Sequence, residues 1–241
     1  MADVDVKGIV EKFTDIVMEA PHGFSAGGKT FYIYPITLGK LMLIQRQLDV
    51  IGMDEERLAR IPLIEVIGIV NLHRESCLRL LAFAIAKGKD DCFDVHRMND
   101  TIQELAVALD NEDIATLMLS VLAYDTTQEV MAHYGIDKET DELNCVARAK
   151  GDKGTLSFGG KTVLGALVDS ACERYGWTVD YCVWGIAYNT LRLMMADRVN
   201  TIYLSDEERK KVPAHILQRD EDVVKATKET MAEIKNMSSW R

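Results

Sequence analysis

The sequence predicts a mainly α-helical protein, a multi-helix bundle with a small N-terminal β-hairpin. Along most of its 241 residues, apolar side chains recur at spacings of three and four, the period of an amphipathic helix. Only four prolines and no Ser/Gly-rich tract are present, which favours regular structure over flexible linkers. The segment at about 23–35 differs, because alternating apolar residues flank a Gly-Gly pair. This pattern predicts two short strands around a tight turn.

Residues 1–135 are predicted to form an N-terminal helical domain that includes this hairpin. Thr37 is placed to cap a helix that ends at Gly52, and glycine suits the left-handed conformation that closes helices. Pro62 fits the first turn of the next helix, and Gly88 ends it. The predicted helices run from Val6 to Glu19, from about 38 to Ile51, from Leu63 to Lys87, from Asn99 or Asp100 through Leu109, from Asp113 to Tyr124, and from Thr126 to Tyr134.

Apolar periodicity fades between residues 136 and 160, and we interpret this segment as a mobile connector. A C-terminal helical region, residues 161–241, follows the connector. Its predicted helices run from Thr162 to the break at Gly176, from Val179 to about Val199 with Thr178 as N-cap, over a short stretch after the Ser205 capping box, and onward from Asp220.

The composition narrows the classes of function. A formal charge of −10 argues against a nucleic-acid-binding surface, because such surfaces neutralise phosphates with Lys and Arg. The run from Ile61 to Lys87 is apolar but carries several charges, which predicts a core helix and no membrane span. The first residues lack the apolar core of a signal peptide. Five widely spaced cysteines without a Cys-x-x-Cys pair are typical of reduced thiols, so we expect a cytoplasmic protein.

One motif suggests nucleotide chemistry. Residues 23–30, Gly-Phe-Ser-Ala-Gly-Gly-Lys-Thr, fit the Walker A pattern. That phosphate-binding loop needs a helix N-terminus directly after it, whereas the alternating stretch from Phe31 to Tyr34 predicts a strand. Gly-Gly-Lys-Thr recurs at 159–162. The context therefore favours a hairpin turn. A nucleotide-dependent enzyme that uses residues 23–30 is the least favoured hypothesis for the function.

A second group of residues has the spacing of metal ligands. The pairs His73 with Cys77 and Cys92 with His96 each lie on one helical face, and together they would supply a Cys₂His₂ zinc set. Cys77, however, is surrounded by leucines, and free cysteine is commonly a small buried hydrophobe. We therefore favour core cysteines and expect no metal. No grouping of Ser or Cys with His indicates a catalytic nucleophile.

The most informative feature is a stripe of large apolar residues after Gly176, which we call the aromatic stripe. Its members recur at alternating spacings of four and three, so on one continuous helix they would line a single face. They are Trp177, Tyr181, Trp184, Tyr188, Leu191 and Met195. The stripe can be core, because aromatic residues are usually buried. It can also bind a partner helix or a second copy of the chain, because Trp and Tyr dominate binding hot spots, and both interpretations can hold in part.

Several segments resemble the tail assembly chaperones of tailed bacteriophages, particularly those of phages and prophages of Bacteroides-like hosts. The resemblance rests on residues 31–40 (FYIYPITLGK), 172–181 (CERYGWTVDY), 183–188 (VWGIAY), and 195–197 (MAD) continuing into 203–209 (YLSDEER). Residues 53–154 share only the general helical character.

The resemblance implies a cytoplasmic, non-enzymatic protein of the infected cell that binds no cofactor. Such proteins bind and solubilise the long, aggregation-prone tape measure protein before the tail tube assembles. The resemblance also implies self-association into a homo-oligomer and, in many cases, a frameshifted longer form of the same protein. We therefore expect a tail assembly chaperone whose partner-binding residues are those of the aromatic stripe. The alternative is a structural tail or neck adaptor of the virion, in which the stripe is a permanent interface.

Overall fold

A computed structural model describes residues 6–53, 55–123, 127–150, 162–196 and 204–217. The fold is mainly α-helical with an N-terminal β-hairpin, as predicted. The helices are α1 Val6–Met18, α2 Leu38–Ile51, α3 Glu55–Arg60, α4 Pro62–Ile85, α5 Lys89–Phe93, α6 Val95–Ala108, α7 Asn111–Leu122, α8 Thr127–Tyr134, α9 Ile136–Lys150, α10 Val163–Tyr175, α11 Tyr188–Ala196 and α12 Asp206–Arg209. The strands are β1 His22–Ala26 and β2 Lys29–Ile33, and a π-helical turn spans Tyr181–Gly185. No described helix combines the length and apolar character that a membrane span requires.

The Walker-like segment forms the hairpin. Strands β1 and β2 are antiparallel, and Ala26 pairs with Lys29 across a two-residue turn. Gly27 and Gly28 have φ of 57° and 76°, a backbone conformation that glycine adopts without strain and other residues avoid. A strand, not a helix, follows the turn, and the Lys29 ammonium lies 2.7 Å from the Glu104 carboxylate. The prediction of a hairpin turn is confirmed.

Local capping signals also give the predicted helix ends. The Thr37 hydroxyl accepts a hydrogen bond from the Lys40 amide, and Gly52 closes α2 in the left-handed conformation. Thr162 and Gly176 do the same for α10. These residues act through bonds to neighbours three or four positions away, which is why the sequence alone identifies them.

Several boundaries in the middle of the chain differ from the prediction. Helix α6 begins at Val95 rather than at Asn99 or Asp100, because the Asp94 carboxylate accepts the Arg97 amide as an N-cap. This hydrogen bond also lowers the pKa of Asp94. Helix α7 begins at Asn111, two residues before the predicted start, after the capping box of Asp110 and Asp113. The short helices α3 and α5 were not expected.

The core of the first compact unit, residues 1–134 and 159–197, surrounds α4. Helix α4 packs against α2, α6 and α7. Fully buried side chains on these helices include Val66, Val70, Leu80, Leu81, Leu105, Ile114 and Met118. The carboxyl half of α4 therefore behaves as the predicted core helix.

The second compact unit contains residues 135–158 and 198–241. Residues 136–150, predicted as part of a mobile connector, form helix α9. Val146 of α9 is buried together with Val212 and Ile216. Polar residues dominate α9, so its few apolar contacts were not recognisable in the sequence. Residues 151–161 and the helix predicted from Asp220 lie outside the described residues.

Candidate functional site

The prediction of one helix from Val179 to Val199 is wrong, because the chain leaves the helical conformation in the middle of the aromatic stripe. Ile186 is extended, with φ of −127° and ψ of 142°, and Ala187 forms an antiparallel bridge with Thr37. The Ala187 amide donates to the Glu19 carboxylate at 2.9 Å. The Tyr188 amide donates to the Ile36 carbonyl at 2.8 Å. These acceptors lie far away in sequence and replace the bonds that a continuous helix would make.

The aromatic stripe therefore falls into three parts. Trp177 precedes the π-helical turn, Tyr181 and Trp184 lie in it, and the remaining three residues lie on α11. The single continuous face required by their spacing therefore does not exist. Each part has its own packing partners.

Trp184 packs against the core of α2 and α4. Its indole lies against Gly39, and its ring centroid is 5.7 Å from that of Phe93 in an edge-to-face arrangement. The indole is half-buried. Most of the indole surface is therefore buried against the rest of the fold. The neighbouring Phe93 is 61% exposed.

The amino end of the stripe forms a short stack that we call the aromatic ladder, consisting of Tyr175, Trp177 and Tyr181. The first two rings stack with centroids 4.5 Å apart, and the third meets Trp177 edge-on at 5.1 Å. The Tyr175 hydroxyl and the Arg174 guanidinium both donate to the Met194 carbonyl at 3.0 Å. The ladder is therefore fastened to the last turn of α11, and Tyr181 is 44% exposed at its outer end.

The carboxyl end of the stripe is mostly core. Leu191 is completely buried, together with Ala171 and Ile186, and Met195 packs on the same cluster. Tyr188 is half-buried and lies under the Arg192 guanidinium at 5.8 Å. Of the six predicted residues, only Tyr181 presents more than a third of its surface to solvent.

A more exposed apolar surface lies on the amino half of α4. Ile61, Ile64, Gly68 and Leu72, here called the α4 face, recur at spacings of three and four and point away from the core. Ile64 is 67% exposed and Leu72 is 79% exposed. A Cβ placed on Gly68 would meet no atom within 4 Å, so a second helix has room to approach there.

Sequence reasoning missed the α4 face because the amino half of this helix is apolar on nearly all sides. Val66 and Val70, on the opposite side, are fully buried, and the whole run was interpreted as core. One signal was available, since a helix with apolar residues around its full circumference needs partners on every side. In the described part of the chain, α2, α6 and α7 cover the other sides but leave the α4 face open.

Lys40, in the segment that carries the family resemblance, is a buried cation that sequence reasoning also missed. Its ammonium donates to the carbonyls of Ala84 at 2.9 Å, Tyr34 at 3.2 Å and Pro35 at 3.4 Å. Burial lowers the pKa of Lys40 to about 8, although nearby Cys92 and Asp91 oppose this shift. Lys40 therefore connects α2, the end of α4 and the exit of the hairpin.

The four residues considered as zinc ligands do not meet. Cys77 is buried among core leucines, where burial raises the pKa of its thiol to about 11, whereas His73 and His96 are exposed. Among the described residues, no three His, Cys, Asp or Glu side chains are grouped to hold a metal ion. Cys77 and Cys92 are core residues.

Comparison of this chain with protein-family models, with curated proteins and with solved structures found no match.

Proposed function

We propose that this protein is a non-enzymatic tail assembly chaperone that binds apolar faces of a phage tape measure protein before the tail tube assembles in the host cytoplasm. The observation that carries the proposal is the α4 face. It offers Ile64 and Leu72 on either side of the open Gly68, the arrangement that accepts the apolar stripe of a partner helix. The resemblance of the segments around Lys40 and Trp177 to tail assembly chaperones supplies the class of partner.

The surroundings of the α4 face support reversible binding. Charged side chains lie at its two ends, with Arg60 80% exposed and Glu75 81% exposed. A small apolar centre with a charged rim is typical of interfaces between proteins that also exist apart. Tyr181, at the outer end of the aromatic ladder, is a second contact of the kind that contributes to hot spots.

Co-expression with the tape measure protein of the same genome tests the proposal. Wild-type protein should raise the soluble yield of the tape measure protein and co-purify with it. The double variant Ile64→Lys, Leu72→Lys should abolish both effects, because each change places a charge in the apolar centre. Val107→Lys is the matched control, since Val107 is an isolated apolar residue on α6 that is 89% exposed.

Unchanged tape measure solubility without co-purification would sink the proposal. Equal loss of binding in the Val107 control would remove the α4 face as the binding surface. Stoichiometric protein in purified phage particles would favour the structural adaptor over the chaperone, because a chaperone leaves before the particle is complete.

A further inference from the structure

Two cysteines in the segment that carries the aromatic ladder face each other. Cys172 lies on α10 and Cys182 in the π-helical turn, ten residues further along the chain. Their Sγ atoms are 3.7 Å apart, which is van der Waals contact for sulfur. A disulfide requires about 2.05 Å, so modest side-chain and backbone adjustment would bring the atoms to bonding distance.

Hydrogen bonds fix the backbone on both sides of this pair. The Gly176 amide donates to the Cys172 carbonyl at 2.9 Å, and Gly176 turns the chain in the left-handed conformation. The Cys182 amide donates to the Thr178 carbonyl at 3.0 Å. The two thiols therefore meet because the connection between α10 and the π-helical turn is tightly folded.

The two thiols differ in access to solvent. Cys172 is half-buried and within reach of a small reagent, whereas Cys182 is completely buried. Burial raises the pKa of the Cys182 thiol to about 11, and a smaller contribution comes from the hydrogen bond with Cys172, which favours the protonated thiol. Cys172 is thus the thiol that reacts first.

We propose that Cys172 and Cys182 are a site of oxidative modification at which an intramolecular disulfide forms by exchange with a small disulfide such as oxidised glutathione. The Cys172 thiolate attacks one sulfur of the small disulfide and releases one glutathione thiolate. Cys182 then loses its proton, attacks Cys172 Sγ and releases the second glutathione. Overall, two protein thiols are oxidised and one glutathione disulfide is reduced to two thiols, so electrons and protons balance.

The bond would close the loop that carries Tyr175, Trp177 and Tyr181. Trp177 already packs on the buried cluster that includes Cys182. Oxidation would therefore fix the aromatic ladder to α10 by a covalent link. The site thus allows the redox state of the compartment to act on the aromatic ladder, of which Tyr181 is exposed.

Thiol counting on the full-length protein tests the proposal without any partner. The reduced protein should bind five maleimide groups under denaturing conditions, one for each cysteine. After incubation with oxidised glutathione it should bind three, and peptide mapping should recover Cys172 joined to Cys182. Cys145→Ser is the matched control, because Cys145 is a half-buried cysteine of the other compact unit, and its count should fall from four to two.

After the same oxidation, Cys172→Ser and Cys182→Ala should form no disulfide. Each should therefore keep four reactive thiols, or three if one of its thiols carries a glutathione. Circular dichroism checks that each variant is folded, and only folded variants are compared with wild type in the thiol count. Five reactive thiols after oxidation would overturn the proposal. A stable glutathione adduct on wild-type Cys172, or a disulfide between any other pair, would do the same.

Discussion

Gly39 of α2 lies directly against the indole of Trp184. A Cβ at residue 39 would stand 2.6 Å from the ring atoms Cε2 and Cζ2, closer than carbon atoms approach without displacement. This contact joins the first turn of α2 to the middle of the aromatic stripe. Because of this contact, most of the indole surface is buried within the fold.

Replacing Gly39 tests this contact. Gly39→Ala should lower the free energy of unfolding by about 1–3 kcal/mol, because the added methyl group overpacks a close-packed site. Gly68→Ala is the control, since nothing lies within 4 Å of that position and alanine favours helices. We expect the control to be neutral or stabilising by up to about 1 kcal/mol. Urea denaturation measures both, and equal effects would contradict the packing described.

Lys40 should make stability depend on pH above neutrality. Its pKa is about 8 in the folded protein and 10.5 when unperturbed, so between these values the unfolded state binds more protons. The contribution of Lys40 to the free energy of unfolding therefore rises with pH, by on the order of 3 kcal/mol across the whole interval.

Lys40→Met isolates this effect. The difference between wild type and Lys40→Met in urea denaturation should shift in favour of wild type from pH 7.5 to pH 9.5, because methionine does not titrate. Groups that titrate in both proteins without interacting with Lys40, such as the Cys77 thiol, cancel in this comparison, whereas the Cys92 thiol, whose pKa the Lys40 charge lowers, contributes to the difference. Lys210→Met removes an exposed lysine, and its free energy of unfolding should change with pH as that of wild type does. A difference that stays constant with pH would show that Lys40 is not desolvated.

Glu19 should stabilise the break between the π-helical turn and α11. Glu19→Ala leaves the buried Ala187 amide without its acceptor, which should cost about 1–3 kcal/mol. Glu19→Gln keeps an oxygen at that place and should cost clearly less. Denaturation together with hydrogen exchange at the Ala187 amide distinguishes the two variants. Identical behaviour of both would mean that the bond is unimportant.

Lys29 should matter little, although it occupies the lysine position of a Walker motif. Its ion pair with Glu104 is exposed, so Lys29→Ala should change the free energy of unfolding by less than about 1 kcal/mol. Gly28→Val should cost about 1–2 kcal/mol, because φ is 76° at that position. Titration with Mg-ATP should give no saturable binding in wild type or in Lys29→Ala. Binding that Lys29→Ala abolishes would restore the nucleotide hypothesis.

The aromatic stripe shows where prediction from sequence stops. Its residues have the spacing of one helix face, but the prediction that a single helix carries them is wrong. The chain breaks at Ala187 because Glu19 and Ile36, more than 140 residues away, accept hydrogen bonds from its backbone. The periodicity of apolar residues depends only on neighbours along the chain. It contains no information about hydrogen bonds to residues that are distant in sequence.

The sequence by itself determined the mainly α-helical class, the hairpin turn at Gly27 and Gly28, the caps at Thr37 and Gly52, and the ends of α10 at Thr162 and Gly176. Each of these depends on φ preferences or on side-chain bonds that reach only three or four residues. The tertiary structure alone decided that Lys40 is buried, that Trp184 packs inward and that Ile64 and Leu72 are exposed. These outcomes depend on which surfaces meet in space. An apolar side chain is equally suited to a core and to an interface until the rest of the chain has folded around it.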